Sequence, residues 1–164
     1  MRENYISWDT YFMGVALLSS MRSKDPNTQV GACIVNEAKK IVGIGYNGLP
    51  FGCDDKVFPW DNKGEFLDTK YPYVVHAEPN AILNSNSRTE GCTLYVTLFP
   101  CNECAKLIIQ SGIKEIVYMD DKYNGTDSNI ASKKMLDYAK IRYRKIDKIT
   151  IELKSRILLS YLSI

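Results

Sequence analysis

The chain has 164 residues, of which 45% are hydrophobic and 24% charged, and its 21 Lys and Arg residues against 19 Asp and Glu residues give a formal net charge of +2. This composition is typical of an ordinary soluble globular protein and not of a disordered chain, and the length predicts a single domain over residues 1–164. The charge is too balanced to indicate a nucleic-acid or membrane surface by itself, so we expect neither partner.

The first half of the chain predicts a helix, a hairpin and a long loop. Apolar residues at helical spacing behind Ser7, a suitable N-cap, predict a helix over 8–22. Two β-rich segments, 29–36 and 40–46, are separated by a short polar turn and predict a β-hairpin. Residues 47–73 are rich in Gly, Pro and turn residues and predict a long loop, here called the excursion. Loops of this length in compact domains are usually functional.

The second half of the chain alternates between helices and strands. The predicted elements are a helix over 76–85, a strand over 92–97, a helix over 102–111, a strand over 114–119, a helix over 127–139, a final strand or pair of strands over 142–146 and 149–153, and a helix over 155–162. This order predicts an α/β fold, a three-layer α/β/α sandwich around a mixed sheet of about five strands.

The termini and the cysteines indicate a cellular compartment. The N-terminal residues contain no apolar run followed by a small-residue cleavage site, so we expect no signal or transit peptide. No apolar stretch approaches the ~20 residues that a membrane span needs. Five cysteines without a secretory signal indicate a reducing compartment, where thiols stay free or hold metal. We therefore expect the protein in the cytoplasm.

Two short motifs carry the candidate chemistry. His76, the only histidine, precedes Glu78 by two positions, and Pro100 comes directly before Cys101, which begins a C-x-x-C pair with Cys104. Zn²⁺ binds imidazole nitrogen and thiolate sulfur, and three protein ligands leave its fourth tetrahedral position open for water. At a helix start, the step from Cys101 to Cys104 directs both sulfurs to one side. We therefore predict that His76, Cys101 and Cys104 bind Zn²⁺ and that Glu78 moves protons.

Each motif alone has a more ordinary interpretation. A lone C-x-x-C pair is more often a structural zinc corner or a redox pair, and a lone His-x-Glu occurs by chance. In this order, with a strand between them and Pro before the first Cys, they form the H-x-E … P-C-x-x-C pattern of zinc deaminases. The other cysteines form no second C-x-x-C pair, and we expect Cys33 and Cys92 to pack as small hydrophobic residues.

The chain resembles the cytidine/deoxycytidylate deaminase superfamily, and within it the deoxycytidylate deaminases, well beyond these motifs. The resemblance covers roughly residues 8–147 and is carried by blocks at 22–26, 29–32, 45–48, 70–73, 98–106 and 121–123. It implies a cytidine deaminase-like fold and the zinc-dependent reaction dCMP + H₂O → dUMP + NH₃, which supplies dUMP for thymidylate synthesis.

The resemblance also implies residues that bind the substrate. Asn47 lies near the sugar, where its amide can donate and accept a hydrogen bond, although a role in turn geometry explains it equally well. The backbone of Ala77 reads the pyrimidine edge, and Tyr123 packs against the substrate. The candidates for the 5′-phosphate are Arg22, Ser23 and Lys24. Cationic and hydroxyl donors suit a phosphate, but the charged end of a helix explains these three residues equally well.

Regulation and assembly are implied by the resemblance alone. The resemblance implies a homohexamer that is activated by dCTP and inhibited by dTTP. We expect the effector pocket in the excursion. Asp54 and Asp55 of the excursion would repel a triphosphate, so such an effector would need Mg²⁺ as a bridge.

Two other functions stay open at this point. The first is a deaminase of a nucleoside, a free base, or cytosine or adenine in single-stranded nucleic acid, although the last would need a basic groove with aromatic residues. The second is a non-catalytic zinc-binding module. Pro79 departs from the family pattern, since it directly follows Glu78 and restricts its backbone. In the first turn of a helix, however, a proline is tolerated.

Overall fold

The computed structural model describes residues 1–152. Within them lie the helices α1 (Trp8–Ser20), α2 (Ala77–Leu83), α3 (Asn102–Gln110) and α4 (Asp127–Tyr138), and the strands β1 (Gly31–Val35), β2 (Ile41–Tyr46), β3 (Thr93–Leu98), β4 (Glu115–Asp120) and β5 (Arg142–Lys145). The strands form one sheet in the order β2-β1-β3-β4-β5. β1 is antiparallel to β2 and β3, whereas β3, β4 and β5 run parallel. The predicted mixed sheet of five strands is confirmed.

Helices cover both faces of this sheet. On one face α1 buries Phe12, Met13 and Ala16 in an apolar cluster with side chains of β1, β3 and β4. On the other face, residues of α2, α3 and α4 pack into a second and larger cluster, which contains Ala81 and Ile108. The predicted three-layer α/β/α sandwich is therefore confirmed.

Glycines allow two helices to approach the sheet closely. A Cβ atom added at Gly31 would lie 1.8 Å from the carbonyl oxygen of Ala16 in α1, and one added at Gly45 would lie 2.3 Å from the carbonyl oxygen of Ala77 in α2. No side chain fits at such distances, so both positions require glycine. The contact at Gly45 brings the first turn of α2 directly against β2.

The excursion links β2 to α2 over residues 47–73. Its ends are joined where Gly48 and Val75 exchange backbone hydrogen bonds of 3.0 and 2.9 Å. Its regular structure is limited to a 3₁₀ turn at Phe66–Asp68. The backbone N–H of Lys70 donates to the carbonyl oxygen of Asp61 at 2.9 Å, which closes the later part of the excursion on itself.

The predicted second C-terminal strand is wrong over its described part, 149–152, which contains no strand. After β5 the chain leaves the sheet, and Ile146 and Ile149 pack against the cluster beneath α1. The apolar alternation therefore reflects burial against a helix and not strand pairing. The helix predicted over 155–162 lies outside the described residues, and the single domain over 1–164 stays a prediction. None of the described helices is long and apolar enough to span a membrane.

Candidate metal centre and its cavity

Three candidate ligand atoms meet where two helices begin. His76 is the N-cap of α2 and Cys101 the N-cap of α3, and neither side chain caps its own helix. Cys104 lies in the first turn of α3. The Nδ1 atom of His76 is 3.3 Å from the Sγ atom of Cys104 and 3.4 Å from that of Cys101. All three ligand atoms lie within 4.8 Å of one another.

This arrangement fits a tetrahedral zinc ion. Bonds of about 2.0 Å to nitrogen and 2.3 Å to sulfur at a tetrahedral angle place those atoms about 3.5 Å apart. Over residues 1–152, the structure groups no further His, Cys, Asp or Glu with these three residues. Cys33 lies on the other face of the sheet, in the cluster beneath α1. His76 is exposed, whereas Cys101 is half-buried and Cys104 buried, so the centre is open on the histidine side.

The electrostatics of the three groups also suit a cation. A hydrogen bond from the Cys104 thiol, helped by one from His76, lowers the pKa of Cys101 to about 4. The hydrogen bond to Cys101 raises the pKa of His76 to about 9. Because metal binding to such ligands displaces protons, a divalent cation can take the place of the protons that these groups share.

Glu78 lies beside the centre without joining its ligand group. It is the second residue of α2, and only 4% of it is exposed. Burial raises the pKa of its carboxyl group, while the charge of His76 acts in the opposite direction. A carboxyl group with a raised pKa can both accept and donate a proton near neutral pH.

A cavity of about 350 Å³ opens over the centre. This volume suits a small ligand such as a nucleotide. The cavity brings together the predicted site residues His76, Glu78, Cys101, Asn47, Ala77 and Tyr123.

Asn47 and Tyr123 contribute to the cavity in different ways. Asn47 is buried; its Oδ1 accepts from the N–H of Val30 at 2.8 Å, and its Nδ2 donates to the carbonyl of Thr28 at 2.9 Å. Its amide therefore holds the neighbouring loop. Tyr123 is half exposed, and the ammonium of Lys122 lies 5.0 Å from its ring centroid.

The predicted phosphate-binding residues lie away from this cavity. Arg22, Ser23 and Lys24 follow α1 and are not among the lining residues. The ammonium of Lys24 pairs with Asp55 of the excursion. The hydroxyl of Ser23 accepts from the backbone N–H of Asp25 at 3.3 Å. The structure therefore does not bring these three residues to the metal centre.

Sequence reasoning missed several polar residues of the cavity, among them Asp25, Lys70 and Asn129. The Nδ2 of Asn129 donates to Asp121 at 2.8 Å, and its buried Oδ1 has no hydrogen-bond partner within residues 1–152. Asp25 and Lys70 lie in the blocks 22–26 and 70–73, which carry the resemblance to the family. That resemblance could have identified both residues as candidates for the site. For Asn129 the sequence carried no such signal.

Residues 6–120 match the model of the cytidine and deoxycytidylate deaminase zinc-binding region. The chain belongs to this family. It is 58% identical over 160 residues to the deoxycytidylate deaminase of Homo sapiens, with 94% of this chain and 90% of that protein covered. It is 57% identical over 151 residues to a probable deoxycytidylate deaminase of Drosophila melanogaster, with 88% and 74% covered.

Solved structures of the family have the same fold. The dCMP deaminase of the cyanophage S-TIM5, in complex with dCMP and dUMP, is 27% identical and superposes with a TM-score of 0.69. The superposition covers 89% of this chain and 99% of the phage chain. The apo form of the phage enzyme superposes with a TM-score of 0.66.

Proposed function

We propose that this protein catalyses the zinc-dependent hydrolytic deamination of dCMP to dUMP. The observation that carries the proposal is a three-atom ligand set that is open on one side, next to a buried carboxyl group in the same cavity. A structural zinc site would be closed by a fourth protein ligand. The relatives named for dCMP, which cover most of this chain, support the choice of substrate.

His76, Cys101 and Cys104 would hold the ion through one nitrogen and two sulfurs. When bound, Zn²⁺ supplies a Lewis acid that lowers the pKa of a water molecule to about 7. The start of α3 favours the two thiolates, because the N-terminal end of a helix is positively polarised. The three ligands would therefore hold the ion in a form that activates water for hydrolysis at neutral pH.

Glu78 would carry out the proton transfers. Its carboxylate takes a proton from the attacking water and delivers it to N3 of the cytosine. It then transfers the second proton of that water to the departing amino group, which leaves as ammonia. One oxygen is added at C4 and one ammonia released, so the net reaction is dCMP + H₂O → dUMP + NH₃.

The remaining contacts orient the nucleotide. We propose that the backbone of Ala77 reads the pyrimidine edge, that Asn47 lies at the sugar, and that Tyr123 packs against the substrate. All three residues line the cavity. Arg22, Ser23 and Lys24 stay proposed for the 5′-phosphate, on the chemistry of their donors alone.

Assembly and regulation form a second part of the proposal. We propose a homohexamer activated by dCTP and inhibited by dTTP, with the effector site in the excursion and Mg²⁺ between the triphosphate and Asp54 or Asp55. Exposed apolar side chains on α1 and the excursion support contact with further copies. They are Trp8, Tyr11, Leu18, Phe51, Val57, Phe66 and Leu67. Native mass spectrometry should give six subunits, and a monomer would contradict this part.

A substrate panel tests the activity itself. Ammonia release would be measured with dCMP, deoxycytidine and a cytosine-containing oligonucleotide, with and without dCTP, dTTP and Mg²⁺. We expect dCMP to be the preferred substrate. Faster turnover of deoxycytidine or of the oligonucleotide would favour a deaminase of another substrate class. We also propose a reducing compartment such as the cytoplasm, because the thiols of Cys101 and Cys104 must stay reduced to bind metal.

A further inference from the structure

Asp25 and Lys70 form a buried ion pair in the wall of the cavity. The Nζ of Lys70 lies 2.5 Å from Oδ2 of Asp25, and their side chains are 9% and 2% exposed. The next most buried pair of the described residues, Lys133 with Asp121, is 27% and 13% exposed. Removing a pair of charges from water is costly, and one of them left alone is strongly unfavourable. The pair therefore requires both partners.

The carboxylate of Asp25 organises one wall of the cavity. Its Oδ1 accepts from the backbone N–H groups of Asn27 and Thr28 at 2.8 and 3.1 Å. Its Oδ2 lies 3.4 Å from the Nδ2 of Asn47, which also donates to the carbonyl of Thr28. Asn27, Thr28 and Asn47 all line the cavity. The position of this wall thus depends on the side-chain oxygens of Asp25.

Lys70 connects that wall to the chain segment that enters the metal centre. Its carbonyl accepts from the N–H groups of Tyr73 and Val74, both at 3.0 Å. This turn leads directly to His76. The ammonium therefore joins the loop after α1 to the loop that ends in a candidate zinc ligand.

The pair also sets the charge of the cavity. Within the described part of the chain, Lys70 is the only Lys or Arg that lines it, whereas Asp25 and Glu78 contribute carboxyl groups. An unpaired Asp25 would repel a substrate with a 5′-phosphate, and this repulsion is strong where water is partly excluded. A nucleoside without phosphate would not be repelled.

We propose that Lys70 is a positioning residue that preserves the preference of the cavity for a nucleotide over a nucleoside, because its ammonium neutralises Asp25. The proposal rests on the proposed function, in which the substrate is a nucleoside monophosphate. Lys70 acts through Asp25 and does not need to contact the phosphate itself.

The test compares kcat and KM for dCMP and for deoxycytidine. In Lys70→Met, kcat/KM for dCMP should fall on the order of tenfold more than kcat/KM for deoxycytidine, mainly through KM, since only dCMP is repelled by the bared carboxylate. Zinc content should be unchanged, and Lys70→Arg should restore most of the preference. Asp25→Asn combined with Lys70→Met should also restore it, because neither charge remains. The matched control is Lys106→Met, since Lys106 forms an exposed ion pair with Glu103. This variant should leave kcat/KM unchanged for both substrates.

Three results would overturn the proposal. Equal losses with both substrates in Lys70→Met would show a purely structural pair. A loss specific to dCMP that persists in the double variant would show that Lys70 acts directly on the phosphate. If Lys70→Met does not fold, Asp25→Asn carries the test. In that variant the ammonium of Lys70 has no carboxylate partner, so the preference should shift further towards dCMP. An unchanged preference would overturn the proposal. Wild-type protein without activity on dCMP would instead contradict the proposed function.

Discussion

The Nδ1 atom of His76 lies 3.4 Å from the Sγ atom of Cys101, although 25 positions separate the two residues. Both residues are N-caps with extended backbone, and neither uses its side chain to cap its helix. Each side chain is therefore free to face the other helix. The contact exists because α2 and α3 pack on the same face of the sheet and begin side by side, so the fold itself builds the metal centre.

Replacement of Glu78 should separate catalysis from metal binding. Glu78→Gln keeps the size of the side chain but cannot move protons, so kcat on dCMP should fall by about 10²–10⁴-fold. Zinc content, measured by plasma mass spectrometry, should stay at one per chain because Glu78 is not a ligand. Glu103→Gln is the control, since Glu103 is exposed and lies between the two cysteines. Substantial activity in Glu78→Gln would favour a non-catalytic zinc module.

Loss of one sulfur should empty the metal centre. Cys101→Ala leaves two protein ligands, so we expect little bound zinc and no turnover. Cys33→Ala removes a buried thiol on the other face of the sheet, so it should cost about 1 kcal/mol of stability but keep its zinc. Removal of metal with a chelator should abolish wild-type activity, and added Zn²⁺ should restore it. Full zinc content in Cys101→Ala would show that the ion lies elsewhere.

Pro79 should slightly slow the enzyme. Proline disfavours helical backbone in the residue before it, yet Glu78 is the second residue of α2 and Pro79 the third. Relief of this conflict in Pro79→Leu should raise kcat by up to about threefold, which is less than 1 kcal/mol in the barrier, with zinc content unchanged. An unchanged kcat would mean that the proline is simply tolerated in the first turn, where its missing N–H has no helical partner.

Acid should weaken the link between α1 and β5. Arg144 donates to both oxygens of Asp9 at 2.7 and 2.8 Å, and the hydroxyl of Tyr95 donates to Asp9 at 2.8 Å. The hydrogen bond from Arg144 lowers the pKa of Asp9 below its ordinary value of 3.8. A lowered pKa in the folded state stabilises the fold fully above the unfolded value, and this contribution is lost as the pH falls through the folded value.

Asp9→Asn tests this link. Because the pair is partly exposed and screened by solvent, the variant should lose about 1 kcal/mol of unfolding free energy at pH 7. The difference from wild type should shrink below pH 3.8. Urea unfolding of both proteins at pH 7 and pH 3 measures it. A difference that is the same at both pH values would show that the charge of Asp9 contributes nothing.

The sequence predicted those features that depend on local pattern or on ligand chemistry. The order and spacing of His76, Glu78, Cys101 and Cys104 identified the centre, because imidazole nitrogen and thiolate sulfur are common zinc ligands and a nearby carboxyl group that is not a ligand can move protons. The five strands of the sheet followed from apolar periodicity. The segment after β5 did not: Ile149 alternates with polar neighbours as in a strand, but it is partly buried against the cluster beneath α1. Periodicity reports burial and does not identify the partner that buries a residue.

Contacts across long sequence separations could not be predicted where no ligand motif marks the two partners. Asp25 and Lys70 are 45 positions apart, and nothing in their spacing indicates that they pair. Their pairing depends on the path of the excursion, which is set by the Gly48–Val75 bridge and by turns within it. Asn129 reaches the cavity only because α4 packs beside α3, a tertiary contact that no local motif encodes.

X-ray absorption at the zinc edge of the purified protein tests the central claim most directly. An open centre formed by His76, Cys101 and Cys104 should give two sulfur neighbours at about 2.3 Å, one imidazole nitrogen at about 2.0 Å and one further light atom from solvent. A shell of four protein ligands, or protein that is active on dCMP without zinc, would contradict it.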